Sequence, residues 1–214
     1  MDKKVIFIDL DGTVLNVSER IYQVYREILR GYDKKFLPKK EYLKLKREKR
    51  PIGEILKKTE AKDILLKFEK EWKEKIEDHY FLNFDMISLS TKKTLLYLKN
   101  NYKLVLVTLR NHPKRLTIQL RDKKIDKIFD KILVRSVRDY GPKWKVKYNL
   151  IKKYGNYDKN SIIIGDTKTD ILAGKKLGIK TVALTGGMRN REILKKCRPD
   201  ILIKNITNLK QCNF

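Results

Sequence analysis

The sequence is poor in cysteine, in acid and in long apolar runs. Cys197 and Cys212 are its two cysteines among 214 residues. Two cysteines make no disulfide framework, so a hydrophobic core must hold the fold, and a reduced cytoplasmic setting is expected. No run of about 18 apolar residues occurs, which excludes a membrane-spanning helix. The basic start MDKKVIFIDLDG offers four apolar residues in a row before Asp9 interrupts them. A secretory signal needs roughly 7–15 there, so none is expected. Internal repeats and low-complexity linkers are missing as well. Acid is in deficit, with 26 Asp and Glu against 52 Lys and Arg, for a formal charge of +26. The basic residues are interleaved with acid along the whole chain. Such a balance speaks to solubility and association rather than to fold.

What remains is a chain with 41% hydrophobic residues, enough for a genuine core plus a smaller insert. Val5 to Ile8 is a short, wholly apolar run, the pattern of a strand covered on both faces. Similar runs recur at Leu104–Val107, Ile132–Val134, Ile162–Ile164, Thr181–Leu184 and Ile201–Ile203. Helical patterns alternate with most of them from residue 90 onward. Alternation of this kind predicts an α/β fold, a Rossmann-like parallel sheet with helices on both faces. Residues 16–86 differ, because they contain no strand pattern. Ile21, Val24, Tyr25, Ile28 and Leu29 follow helical spacing. Asn16 and Glu19 are placed to cap that helix reciprocally. Ile64, Phe68, Trp72, Ile76 and Tyr80 recur every four residues and predict a second long helix, with Pro38 and Pro51 punctuating the stretch between. Residues 16–86 therefore read as a helical insert after the first strand, and residues 1–15 with 87–214 as the core around it.

The stretch FIDLDGTVLN ends an apolar strand with two aspartates one residue apart. Asp9 and Asp11 thus stand at the carboxyl end of a strand, where ligands bind in open parallel sheets. Gly12 permits a tight turn and close backbone approach. Thr108 ends the second strong strand in VLVTLRN. Asp166 ends IIIGD, and Asp170 follows one helical turn later. Sheet geometry gathers these residues at one edge although they are far apart in sequence. Carboxylates gathered so closely repel, and an oxygen-seeking divalent cation resolves the repulsion. Mg²⁺, which binds one or two carboxylates together with substrate phosphate, is the expected cofactor.

DLDGT at 9–13, Thr108, a lysine in GPKWK and GDTKTD at 165–170 resemble the four motifs of the haloacid dehalogenase superfamily. The continuation DILAGKKLGIKTVALTGG is similar to its phosphoglycolate-phosphatase-like branch. The resemblance implies a Mg²⁺-dependent phosphatase acting on a small anionic phosphate monoester. Asp9 would be the nucleophile, forming an aspartyl-phosphate, and Asp11 the general acid and base. Asp9, Asp11 (through its backbone carbonyl) and Asp166 would bind the metal, and Asp170 would complete the acidic site. Thr108 and a lysine would contact the phosphoryl group. Lys143, Lys145 and Lys147 are candidates for that lysine, and the Gly-Pro before Lys143 makes it the first choice, with Lys147 in reserve. The resemblance also implies that the insert acts as a cap over the site.

Arg110, Asn111 and His112 follow Thr108 in a loop above the sheet edge, and Arg110 is expected to bind substrate. His79 is expected on a helix surface of the insert, and the Trp72 stripe in its packing. Residues 33–50 carry nine basic and three acidic residues, a segment that could draw in anions. Two further readings fit the same features. One is a phosphomutase that passes the aspartyl-phosphate to a second hydroxyl. The other, ranked behind it, is a nucleic-acid-binding protein or polynucleotide phosphatase, to which the charge is the main pointer. A small phosphate ester is the favoured partner; the sequence gives no membrane association and fixes no oligomeric state.

Overall fold

The computed structural model describes residues 3–135 and 141–211. The chain divides into two compact units, one of residues 1–16 with 86–214 and the other Val17–Asp85. Cys212 lies outside the described residues, and Cys197 is a free thiol.

The larger unit is a six-stranded parallel sheet in the order β3-β2-β1-β4-β5-β6. Its strands are β1 (Val5–Ile8), β2 (Lys103–Leu109), β3 (Lys131–Arg135), β4 (Ile162–Gly165), β5 (Lys180–Leu184) and β6 (Ile201–Ile203). All six expected strands form, most of them one to three residues longer. The apolar runs lack alternation because both faces are covered. Val5, Phe7, Val105, Val107 and Ile163 pack with Ile151 and Ala173 on one face. Their neighbours Ile6, Ile8, Leu104, Leu106, Ile162 and Ile164 are equally buried on the other. Among the described residues of this unit, five α-helices link or follow the strands: α6 (Leu89–Asn101), α7 (Pro113–Asp122), α8 (Lys143–Tyr154), α9 (Lys168–Leu177) and α10 (Arg191–Lys195). Strand order reverses between β1 and β4, which is the switch point where doubly wound sheets leave a crevice. Asp9 and Asp166 directly follow those two strands.

The smaller unit is helical: α1 (Ser18–Arg30), α2 (Lys39–Arg47), α3 (Ile52–Lys57), α4 (Leu65–Lys75) and α5 (His79–Leu82). Its core joins aliphatic side chains such as Val24, Ile28, Leu29 and Leu56 to an aromatic group. Tyr25 stacks on Tyr42 with ring centroids 4.0 Å apart, and Phe68 stacks on Trp72 at 5.8 Å. Phe68 and Trp72 of the predicted stripe are therefore packing. Two local expectations need correction. The long helix predicted over Ile64–Tyr80 breaks after Lys75, and Asp78 caps a separate short helix by accepting from the Tyr80 amide. Tyr80 lies beyond the break, exposed and edge-on to Phe81 and Phe84, so the four-residue repeat does not mark one continuous face. The Asn16–Glu19 cap does not form. Asn16 instead exchanges backbone hydrogen bonds with Met86, and Glu19 accepts from Gln23 and Lys39. Arg20 and Asp85, both buried, form an ion pair at 3.0 Å within this unit. Among the described residues, no helix is long and apolar enough to cross a membrane.

Candidate active site

Three carboxylates meet at the switch point. Asp9, Asp166 and Asp170 each offer an oxygen, all within 4.8 Å of one another. Backbone pairing sets the first two. The Asp9 amide donates to the Ile164 carbonyl at 2.9 Å, which extends the β1–β4 ladder to the edge and leaves Asp166 beside it. Asp170 arrives on the first turn of α9. Its Oδ2 accepts from the Thr167 amide at 3.1 Å and from the Thr167 hydroxyl at 2.7 Å, which fixes its rotamer. Ala173 and Leu177 lie three and seven residues on, and both join the core on that face.

A lysine ammonium lies among the acids. Lys147 Nζ is 2.6 Å from Asp9 Oδ1 and 2.5 Å from Asp170 Oδ1, with the side chain almost wholly buried. The structure thus brings Lys147, the reserve candidate, to the acids, and leaves the first choice, Lys143, away from them. Both lysines and Ile151 are spaced four apart, hence on one stripe of α8. Ile151 packs on the sheet, so Lys147 reaches its edge, while Lys143 at the helix start overshoots and is exposed. Lys145 is exposed also.

The charges explain the protonation of the site. Burial pulls the Lys147 ammonium down, but Asp170 and Asp9 together outweigh it and hold its pKa above the ordinary value. Burial raises the Asp9 carboxyl to about 7, with Asp170 and Asp11 adding to the rise against the pull of Lys147. Burial, then the charges of Asp9 and Asp170, push Asp166 well above the usual carboxylate range. Three carboxylates against one ammonium leave two negative charges, and without further cations protons must be taken up. A divalent cation would satisfy the same deficit. The donor set is all carboxylate oxygen, the chemistry of Mg²⁺ or Ca²⁺ rather than of a softer metal.

The loops around Asp166 come in unusually close. Gly12 has φ +84°, in the region that favours glycine, and a Cβ there would run into the Asp166 carboxylate. A Cβ on Gly187 would meet Asp166 and the Gly12 carbonyl. The Met188 amide donates to Asp166 Oδ2, and the Thr13 hydroxyl to Oδ1 at 3.4 Å. Gly186 and Gly187 follow β5 in a turn, and that pair of glycines is the signal in the sequence of a close approach.

Asp11 stands apart from the three acids. Its carboxylate accepts from Arg110 at 2.6 Å. Arg110, expected to face substrate, is buried and engages Asp11 and the Gln119 amide oxygen, the latter at 3.4 Å. Thr108 is buried next to the end of β2. His112 sits at the start of α7, and His79 at the start of α5, exposed. Gln119 is a residue that sequence reasoning missed. It shares the buried stripe of α7 with Leu116 and Leu120, and a polar residue at a core position was the signal.

Comparison with known proteins bears on the family and the fold. The family profile for haloacid dehalogenase-like hydrolases matches residues 5–184. The pyrophosphatase PpaX of Bacillus cereus is 23% identical over 215 residues, covering 98% of this chain and 95% of that protein. Among solved structures, a haloacid dehalogenase-like hydrolase from Streptococcus pneumoniae superposes with a TM-score of 0.77 at 20% identity, covering 98% of this chain and 97% of that one. A predicted phosphoglycolate phosphatase from Haemophilus somnus gives 0.74 at 23% identity, covering 99% and 98%.

Proposed function

The chain belongs to the haloacid dehalogenase-like hydrolase family, and from that premise we propose that it is a Mg²⁺-dependent phosphatase working through an aspartyl-phosphate on Asp9. The observation that carries the reading is the convergence of Asp9, Asp166 and Asp170 around the Lys147 ammonium.

Asp9, Asp166 and Asp170 would hold the metal ion, with Asp11 contributing through its backbone. When bound, Mg²⁺ supplies positive charge that offsets the repulsion between the Asp9 carboxylate and an incoming phosphate. At about 4 Å and an effective dielectric near 20, that repulsion is on the order of 4 kcal/mol per pair of unit charges. Lys147 offsets it too, since its ammonium is fixed and dry before substrate arrives. An Asp9 oxygen attacks phosphorus, the P–O bond to the leaving group breaks, and its electron pair goes to the ester oxygen. Asp11 gives that oxygen a proton. In the second step Asp11 takes a proton from water, the water oxygen attacks phosphorus, and the acyl-phosphate bond returns its electrons to Asp9. Thr108 is assigned to a non-bridging phosphate oxygen. Substrate choice is assigned to the helical unit, Val17–Asp85, and the setting to the cytoplasm.

The leaving group admits a second candidate. The PpaX relatives are pyrophosphatases, so a phosphoanhydride stands beside a small anionic phosphate monoester. A panel of phosphate esters and inorganic pyrophosphate, assayed with Mg²⁺, with EDTA and with Asp9→Asn, separates these. Hydrolysis of one class should vanish with chelator and with the variant. Turnover that survives both would end the mechanism.

A further inference from the structure

Resting on the phosphatase reading above, we propose that Arg110, braced by Gln119, is the positioning residue that aims the Asp11 carboxyl at the leaving-group oxygen. The structure shows a chain of three polar side chains that runs from the core to the site. Gln119, on the buried stripe of α7, presents its amide oxygen to the Arg110 guanidinium at 3.4 Å. Arg110 donates to Asp11 Oδ1 at 2.6 Å. Exposure rises along the chain. The Arg110 side chain is 3% exposed and that of Asp11 is 29% exposed. The charged head of the arginine is thus withdrawn from solvent, and the partly exposed end of the chain is the acid.

Strand order brings the three together. β1 and β2 are neighbours, with Ile8 level with Leu106. Carried past the strand ends, the register brings the Asp11 loop alongside Arg110. Burying a guanidinium without partners is costly, so its contacts are part of the fold. A charge-assisted bond of this length also restricts the carboxylate to one direction. A carboxyl that accepts at one oxygen can carry its proton on the other. Once that proton has passed to the leaving group, the arginine charge stabilises the carboxylate left behind. Lys147 serves Asp9 and Asp170 but makes no such bond to Asp11. Each half of the reaction therefore has its own buried cation.

The test compares an alkyl phosphate with p-nitrophenyl phosphate. An alkoxide needs a proton to leave, and a nitrophenolate does not. The parameter kcat/KM reports steps up to loss of the leaving group. Arg110→Ala should lower kcat/KM for the alkyl ester by about 100-fold, the scale of a lost general acid, and leave the nitrophenyl ester within a few-fold. Arg110→Lys should recover part of the loss. Gln119→Met, which removes the brace and keeps the guanidinium, should give the same asymmetry at smaller size, and it decides the matter if Arg110→Ala does not fold by circular dichroism. Equal losses on both esters, or a rise in KM shared by both, would overturn the proposal, the second because it marks a phosphate-binding arginine. Wild-type protein that hydrolyses neither ester nor inorganic pyrophosphate with Mg²⁺ would overturn the phosphatase reading instead.

Discussion

At the residue scale, Lys147 and Lys143 differ by one helical turn and by everything that matters for chemistry. Lys147 is buried between Asp9 and Asp170, and Lys143 is in solvent. Removing one partner of a buried ion pair leaves charge uncompensated, at a cost of about 3–5 kcal/mol. Lys147→Met should therefore lose turnover and melt markedly earlier in metal-free protein, whereas Lys143→Met should change neither. A Lys143→Met enzyme that is inactive would reverse the assignment. Asp9 supplies a second prediction at this scale. Its folded pKa, about 7, lies above the ordinary 3.8. A carboxyl that holds its proton longer when folded favours the folded state at low pH. That contribution is lost as pH rises through about 7. Metal-free wild type should thus lose more stability than Asp9→Asn between pH 4 and 8, as followed by thermal melts. Added Mg²⁺ should restore wild type more at pH 8 than at pH 5, since protons compete for Asp9 at the lower pH. Parallel melting curves for the two proteins would show that Asp9 titrates normally.

At the scale of elements, the positions of the acids were legible because each directly follows an apolar strand or opens the next helix. The parallel sheet followed from wholly apolar runs such as Val5–Ile8 and Ile162–Ile164, which form β1 and most of β4. The lysine was harder. Choosing among 143, 145 and 147 requires the phase of α8 against the sheet, and Ile151 as the stripe marker fixes it only once the packing is known. The partners of Arg110 were hidden for a related reason. A loop arginine above a sheet edge looks available to substrate until a buried Gln119 claims it. Breaks in helices are equally obscure to periodicity, as the end of α4 at Lys75 shows. The loop at Gly187 carries its own prediction. Gly187→Ala would drive a methyl group into Asp166 and the Gly12 carbonyl. Overpacking of this kind costs about 1–3 kcal/mol. The variant should bind Mg²⁺ more weakly and turn over more slowly while keeping its fold; isothermal titration with unchanged affinity would show that the loop does not shape the site.

At the scale of the molecule, the acid cluster is assembled from both ends of the chain, because β1 and β4 are neighbours across the reversal of strand order. A compact cluster of acids stands in a chain of charge +26. Net charge of one sign raises encounter rates with oppositely charged ligands and is screened by salt. For an anionic phosphate, kcat/KM should fall as salt is raised while kcat holds; a kcat/KM indifferent to salt would leave the basic surface without a part in catalysis. The central claim is covalent, and trapping the intermediate tests it most directly. Enzyme quenched in acid during turnover with Mg²⁺ should carry one hydroxylamine-labile phosphoryl group on the peptide containing Asp9, by mass spectrometry, and neither the EDTA-treated enzyme nor Asp9→Asn should carry it. Turnover with no phosphorylated chain, or with the group on another residue, would contradict the account.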